Sequence, residues 1–187
     1  MRELTVDLFC TVDGWLAGRD SPAYFGYDGS ELQAWIDEQS DQPHVMLMGS
    51  NTYRALEEIH AGGGDDPSYQ RMAKLPKVVF SKSLRPPLSW PNTSVVAEDV
   101  AVALPAMKAQ SGDPLRVIGS ATLVRSLFRL GLVDRLRLMV FPQVLGESGQ
   151  QRMLQDLPDV DLRLASTAVL DGRLVLLDYV PERDTPR

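Results

Sequence analysis

Three short segments gather small, hydroxyl and amide side chains: Gly49-Ser50-Asn51-Thr52, Ser81-Lys82-Ser83 and Gly119-Ser120-Ala121-Thr122. Backbone N–H groups exposed by a glycine turn, together with the positive end of a helix dipole, suit a phosphate. A lysine flanked by two hydroxyls suits an isolated phosphate monoester. Taken singly, each segment reads first as a helix cap or a solvated surface charge. Together on one edge of one sheet, they favour a dinucleotide site. It is not of the usual fingerprint, because G-x-G-x-x-G is absent.

Among the acids, Asp13 follows the first apolar run and precedes Gly14. It could orient a substrate or relay a proton, and it also fits a plain Asp-Gly turn. Asp28 and Glu31 lie close by in sequence. Glu31 falls in the first turn of an expected helix, where the dipole favours a carboxylate whatever its function. A nucleophile triad is not expected: His44 precedes a buried strand, His60 ends a helix, and G-x-S-x-G is absent. Two histidines and the single Cys10 do not make a zinc site, and no metal is expected.

These residues need strands and helices to position them. Leu4 to Val12 reads as a first strand, stopped at Asp13-Gly14. A loop from Arg19 to Gly29 follows, carrying Tyr24, Phe25 and Tyr27; so many rings either pack down or cover a ligand. Ser30 is the expected N-cap of a helix running to about Gln39. Val45 to Met48 is a short strand that breaks at Gly49 into a helix ending near His60. Gly62 to Asp66 is a flexible loop. Lys77 to Phe80 and Thr93 to Ala97 are strands, and Asp99 caps a helix to about Gln110. Leu115 to Ile118 is a strand that turns at Gly119 into a helix from Ala121 to Leu130, with Gly131 as its C-terminal cap. Asp134 to Val140, Val160 to Leu170 and Leu174 to Val180 are strands, the last two joined by an Asp171-Gly172 hairpin turn. Alternating strands and helices followed by a run of strands predict an α/β fold. Its sheet is mostly parallel with an antiparallel edge. Residues 1–180 form one domain, and the tail from Pro181 frays.

The chain has 187 residues, 44% hydrophobic and 24% charged, with a net charge of −6. That balance lacks the basic stripe of a nucleic-acid binder. No stretch approaches the ~20 apolar residues of a membrane span, and one cysteine allows no internal disulfide. A cytoplasmic setting is expected.

Four segments, in order, resemble the RibD C-terminal domain family, the riboflavin-biosynthesis reductase branch of the dihydrofolate reductase-like superfamily. They are Thr11-Val-Asp-Gly-Trp-Leu-Ala-Gly18, Met48-Gly-Ser-Asn-Thr-Tyr53, Val117-Ile-Gly-Ser-Ala-Thr-Leu123, and Gly131 to Leu138 with Pro142-Gln-Val-Leu-Gly146. The resemblance implies three α/β/α layers around an eight-stranded sheet, bound NADPH, and a homodimer. Gly49, Ser50, Asn51 and Thr52 would hold phosphate, and Ser81 and Lys82 would meet the adenosine 2′-phosphate. Ile118, Gly119, Ser120, Ala121, Thr122 and Leu123 would form the pyrophosphate turn. Leu16 and Ala17 would lie beside the nicotinamide. The substrate would be a small pterin- or pyrimidine-like ring, a ribosylated aminouracil included. Asp13 and Glu31 are the candidate catalytic acids. The chain departs from the family in having Ser50 where an arginine is usual and Ser120 where a second glycine is usual. These departures leave open a nucleotide-binding protein of the same fold without reductase activity.

Overall fold

The computed structural model describes residues 1–59 and 67–182. The expectations for His60, for the glycine loop and for residues 183–187 lie outside them. In chain order the elements are β1 (Leu4–Thr11), β2 (Trp15–Gly18), α1 (Ser30–Asp41), β3 (Val45–Gly49), α2 (Ser50–Ile59), α3 (Pro67–Lys74), β4 (Lys77–Phe80) and β5 (Thr93–Val96). Then come α4 (Val100–Ala109), β6 (Leu115–Val117), α5 (Ala121–Arg129), β7 (Arg135–Phe141), β8 (Gly149–Arg152), β9 (Leu162–Leu170) and β10 (Leu174–Pro181). Eight strands form one sheet in the order β5-β4-β3-β6-β1-β7-β10-β9. The first six run parallel, and β10 and β9 close one side antiparallel. A separate antiparallel ribbon pairs β2 with β8.

The sheet is central because its middle strands bury both faces. On one face Leu4, Val6, Leu8, Leu47, Leu115, Val117 and Leu136 pack against Leu104 of α4 and Leu123, Val124, Leu127 and Phe128 of α5. The opposite face splits in two. Met46, Met48 and Val79 pack with Tyr53 of α2 and with Trp90. Met139, Phe141 and Leu174 pack with Leu32, Trp35 and Ile36 of α1. This is the expected three-layer arrangement. Each fully buried leucine contributes about 1.5–3 kcal/mol relative to exposure.

Two buried charged groups fix helix ends. Asp7 of β1, 5% exposed, accepts hydrogen bonds from Arg116 of β6 and Arg137 of β7. Arg116 Nη1 also donates to the Gln39 carbonyl at 2.8 Å, and both guanidiniums lie over the Trp35 ring. The carboxyl end of α1 is thereby tied to three strands. Lys77, 1% exposed, donates to the carbonyls of Met72, Ala73 and Leu75. It closes the end of α3, and burial pushes its pKa down to about 8.

Several boundaries differ from the sequence reading. Ser30 is not the cap of α1: Gly29 occupies the N-cap position and offers no side chain. The Asp171 carboxylate caps the helix instead, accepting from the amides of Glu31 (2.9 Å) and Leu32 (3.0 Å). Trp15 to Gly18 and Gly149 to Arg152 are two short strands that the sequence reading did not assign, each completing the other's backbone hydrogen bonds. The frayed tail does not begin at Pro181, which pairs with Leu162; the Glu182 amide then donates to the Asp161 carbonyl at 2.8 Å. Asp99 and Gly131 act as expected. Asp99 Oδ1 accepts from the Ala101 amide, and Gly131 sits at φ +61 behind α5. Among the described residues no helix is long and apolar enough to cross a membrane.

Candidate functional site

The carboxyl ends of β4, β3 and β6 are neighbours in the sheet, and each empties into one of the three hydroxyl-rich segments. Ligands of open α/β sheets bind at this edge. β3 turns at Gly49 directly into α2, and β6 turns through Ile118 and Gly119 into α5. The two turns are pressed together. A Cβ on Gly49 would lie 2.6 Å from Ser120 Oγ, and one on Gly119 would lie 2.8 Å from Thr52 Oγ1. Gly119 has φ +135, a conformation that side-chain-bearing residues rarely adopt, and the Gly119–Ser120 peptide is cis. The Ser120 side chain makes no cap hydrogen bond to α5, so it leaves the first amides of that helix to other acceptors.

Beside this pair lies an open groove of about 530 Å³. One wall carries Phe80, Ser81 and Lys82, a second runs from Val96 to Ala101, and a third is Thr122, Ser126 and Arg129 of α5. Ser81 is largely buried, and its hydroxyl accepts from the amides of Ser83 and Leu84, so it shapes the loop. Lys82 is exposed on the groove. Ser126 and Arg129 were missed from sequence. The signal available was their spacing of four and seven residues from Thr122, which places all three on one helical face. Arg129 Nη2 donates to the Asp156 carbonyl, leaving further donors on the guanidinium.

The other predicted residues cluster at the neighbouring ends of β1 and β7. Leu16 and Ala17 are half-buried in the β2–β8 ribbon. Asp13 accepts from Thr11 Oγ1 at 2.7 Å, from the Gly146 amide at 2.9 Å and from the Leu145 amide at 3.2 Å. The Thr11 hydroxyl first, then the Gly146 and Leu145 amides, hold its carboxyl down at about 2. It is therefore an ionised acceptor at neutral pH, with its oxygens engaged by the Thr11 hydroxyl and the two amides. Glu31 points at the β9–β10 hairpin, where its carboxylate accepts from the Asp171 amide. The acid and the hairpin turn cap each other, and the structure does not bring Glu31 and Asp13 together by any hydrogen bond among the described residues.

The aromatic loop packs down over the same end of the sheet. Tyr24 lies 5.3 Å from Phe9, and Phe25 and Tyr27 lie 5.2 and 5.6 Å from Phe141, ring centre to ring centre. Tyr24 and Phe25 both take left-handed backbone conformations, at φ +51 and +53. His44 is buried at the start of β3, its Nδ1 facing the Gln42 carbonyl, at the opposite end of the strand from the glycine turns.

A sheet of this order, with helices on both faces and abutting glycine turns at its carboxyl edge, has the dihydrofolate reductase-like fold. The model of the RibD C-terminal domain family matches residues 2–176, and the chain belongs to that family. It is 22% identical over 183 residues to YyaP, an uncharacterized protein of Bacillus subtilis (strain 168), covering 95% of this chain and 94% of that one. Two solved structures share the fold. One is a protein provisionally ascribed to riboflavin biosynthesis from Shewanella sp. PV-4, with a TM-score of 0.71, 18% identity, and coverage of 98% and 100%. The other is a pyrimidine reductase-like protein from Corynebacterium diphtheriae, with a TM-score of 0.70, 16% identity, and coverage of 98% and 93%.

Proposed function

We propose that this chain is an NADPH-dependent reductase of a small, flat pterin- or pyrimidine-like substrate, ribosylated aminouracils among them. One observation carries the reading: three hydroxyl-rich segments, separate in sequence, stand at the adjoining ends of β4, β3 and β6, two of them lining one groove through Ser81, Lys82 and Thr122 and the third pressed against the Gly119 turn. The residues fit the cofactor. The N-termini of α2 and α5 suit its pyrophosphate, with Ser50, Asn51, Thr52, Ser120 and Thr122 as polar neighbours. Lys82 and Arg129 stand on two walls of the groove and suit the 2′-phosphate. Leu16 and Ala17 offer an apolar surface to the nicotinamide. When bound, NADPH supplies the hydride. The chain's own residues bind, orient and exclude water, so catalysis is mainly positioning. Family membership and the fold shared with a reductase-like neighbour support the same class.

Titration of the purified protein with NADPH, followed by nicotinamide fluorescence, tests this reading. Saturable binding in the micromolar range is expected, and no binding sinks it. Asp13 and Glu31 favour a second reading, because both candidate acids are engaged with backbone amides. In that reading the protein binds the nucleotide without reducing anything. NADPH binding with no oxidation across a panel of pterins, uracils and quinones would select it.

The assembly proposed is a homodimer in the cytoplasm. β9 ends the sheet, with Leu164 and Val169 48% and 61% exposed. A nine-residue edge with open backbone groups is usually covered. The one thiol, Cys10, is buried and fits a reducing compartment.

A further inference from the structure

The β2–β8 ribbon has only four residues in each strand and, among the described residues, pairs with no strand of the main sheet. A ribbon that short is marginal on its own, so its place must be set by its surroundings. Most of the ties converge on one turn. The Thr11 hydroxyl donates to Asp13 Oδ1 and accepts from the Trp15 amide at 3.1 Å. Across the gap, the amides of Leu145 and Gly146 donate to the Asp13 carboxylate. Arg152 Nη1 donates to the Asp13 carbonyl, and its guanidinium stacks 4.0 Å from the centre of the Trp15 ring. The Met153 amide donates to the Gly14 carbonyl at 2.9 Å. Gly149 admits the ring: a Cβ there would lie 2.2 Å from the Trp15 indole.

We infer that Asp13 is a positioning residue that latches the β1–β2 segment to the β7–β8 loop. The latch presents Leu16 and Ala17 as a fixed wall to the nicotinamide half of the cofactor. The inference rests on the cofactor reading above and goes beyond it by dividing the site into two independently held halves. An ionised carboxylate accepting from two amides and a hydroxyl holds a loop more firmly than neutral hydrogen bonds do. An asparagine has the same shape, but its NH2 group would face amide donors, so it cannot replace the second oxygen. The groove at Lys82 and Arg129 shares no hydrogen bond with this latch among the described residues and is held by other elements.

The test compares wild type with Asp13→Asn and with Gly149→Ala, which attacks the latch from the other strand without touching the carboxylate. Three quantities are read: amide exchange, binding of NADPH and binding of 2′,5′-ADP, which carries only the adenosine end. The Asp13→Asn protein is expected to exchange the amides of residues 143–149 faster, with those of β7 unchanged. Both variants are expected to weaken NADPH about tenfold, to lose the fluorescence enhancement of the bound nicotinamide, and to bind 2′,5′-ADP as wild type does. Equal weakening of both ligands, or no change in either, overturns the inference while leaving the cofactor reading intact. Unchanged exchange at Leu145 and Gly146 overturns the latch itself. A wild-type protein that binds neither ligand fails the cofactor reading, and the positioning role with it. If Asp13→Asn does not fold, Gly149→Ala decides.

Discussion

The two halves of the candidate site are built by opposite means. The half proposed to hold phosphate is set by backbone: two glycine turns on adjacent strands lie so close that a single added carbon on either would collide with the other. The half proposed to face the nicotinamide is held by side chains reaching across the sequence, from Asp13 to Leu145 and Gly146, and from Arg152 to Trp15. The first is as rigid as the sheet that carries it. The second is only as firm as its hydrogen bonds and one stacked ring. A nucleotide would therefore be anchored at its phosphates and adjusted at its reactive end.

Substitutions on the backbone side should test that contrast most severely. Gly119→Ala combines a left-handed conformation with a clash against Thr52. It is expected to cost about 1–3 kcal/mol of stability and to abolish binding of NADPH and 2′,5′-ADP alike. Thermal melts and titration check it, and near-normal binding would show that the turns can move apart. Next in size, Lys82→Ala and Arg129→Ala should each weaken NADPH about tenfold with little effect on NADH, as expected for lost charge-assisted contacts to a phosphate. Equal losses for the two dinucleotides would remove the 2′-phosphate from that groove. Outside both halves, Asp171→Ala should cost about 1 kcal/mol through loss of the α1 cap, read as a lowered melting temperature with unchanged 2′,5′-ADP binding.

The smallest effect is one of pH. The Asp13 carboxyl lies at about 2, below its ordinary 3.8. A depressed carboxylate stabilises the fold above its unfolded value, and this stabilisation is lost as pH falls through its folded value. The difference in melting temperature between wild type and Asp13→Asn should be flat above pH 4 and shrink toward pH 2. A difference that holds its size below pH 2 would mean that the latch does not depend on ionisation.

The same contrast explains what could be read from sequence. Val45 to Thr52 and Leu115 to Thr122 are contiguous strand–glycine–helix runs, so their placement follows from local pattern and from the right-handed crossovers of a parallel sheet. The latch was not legible, because Asp13 and Gly146 lie far apart in the chain and strands of four residues carry too little alternation to stand out. Asp171 hid in a hairpin signal, and its second duty as the cap of α1 needs the folded chain. Asp7, Arg116 and Arg137 sit within apolar runs, where pattern alone says only that a strand is buried. Arg129 was visible as a helical neighbour of Thr122, but nothing local showed that this face borders a groove.

Lys77 adds a consequence of another kind. Its amine is enclosed by the carbonyls that end α3 and is almost wholly sealed from solvent. An acylating reagent can reach it only when that helix comes away from the sheet. Its labelling rate, set against the rates of exposed lysines such as Lys82, therefore works as a clock for the opening of α3 at the amino end of β4. A ligand at the opposite, carboxyl end of that strand should slow the clock only by stabilising β4 and α3 as one unit, without touching the amine.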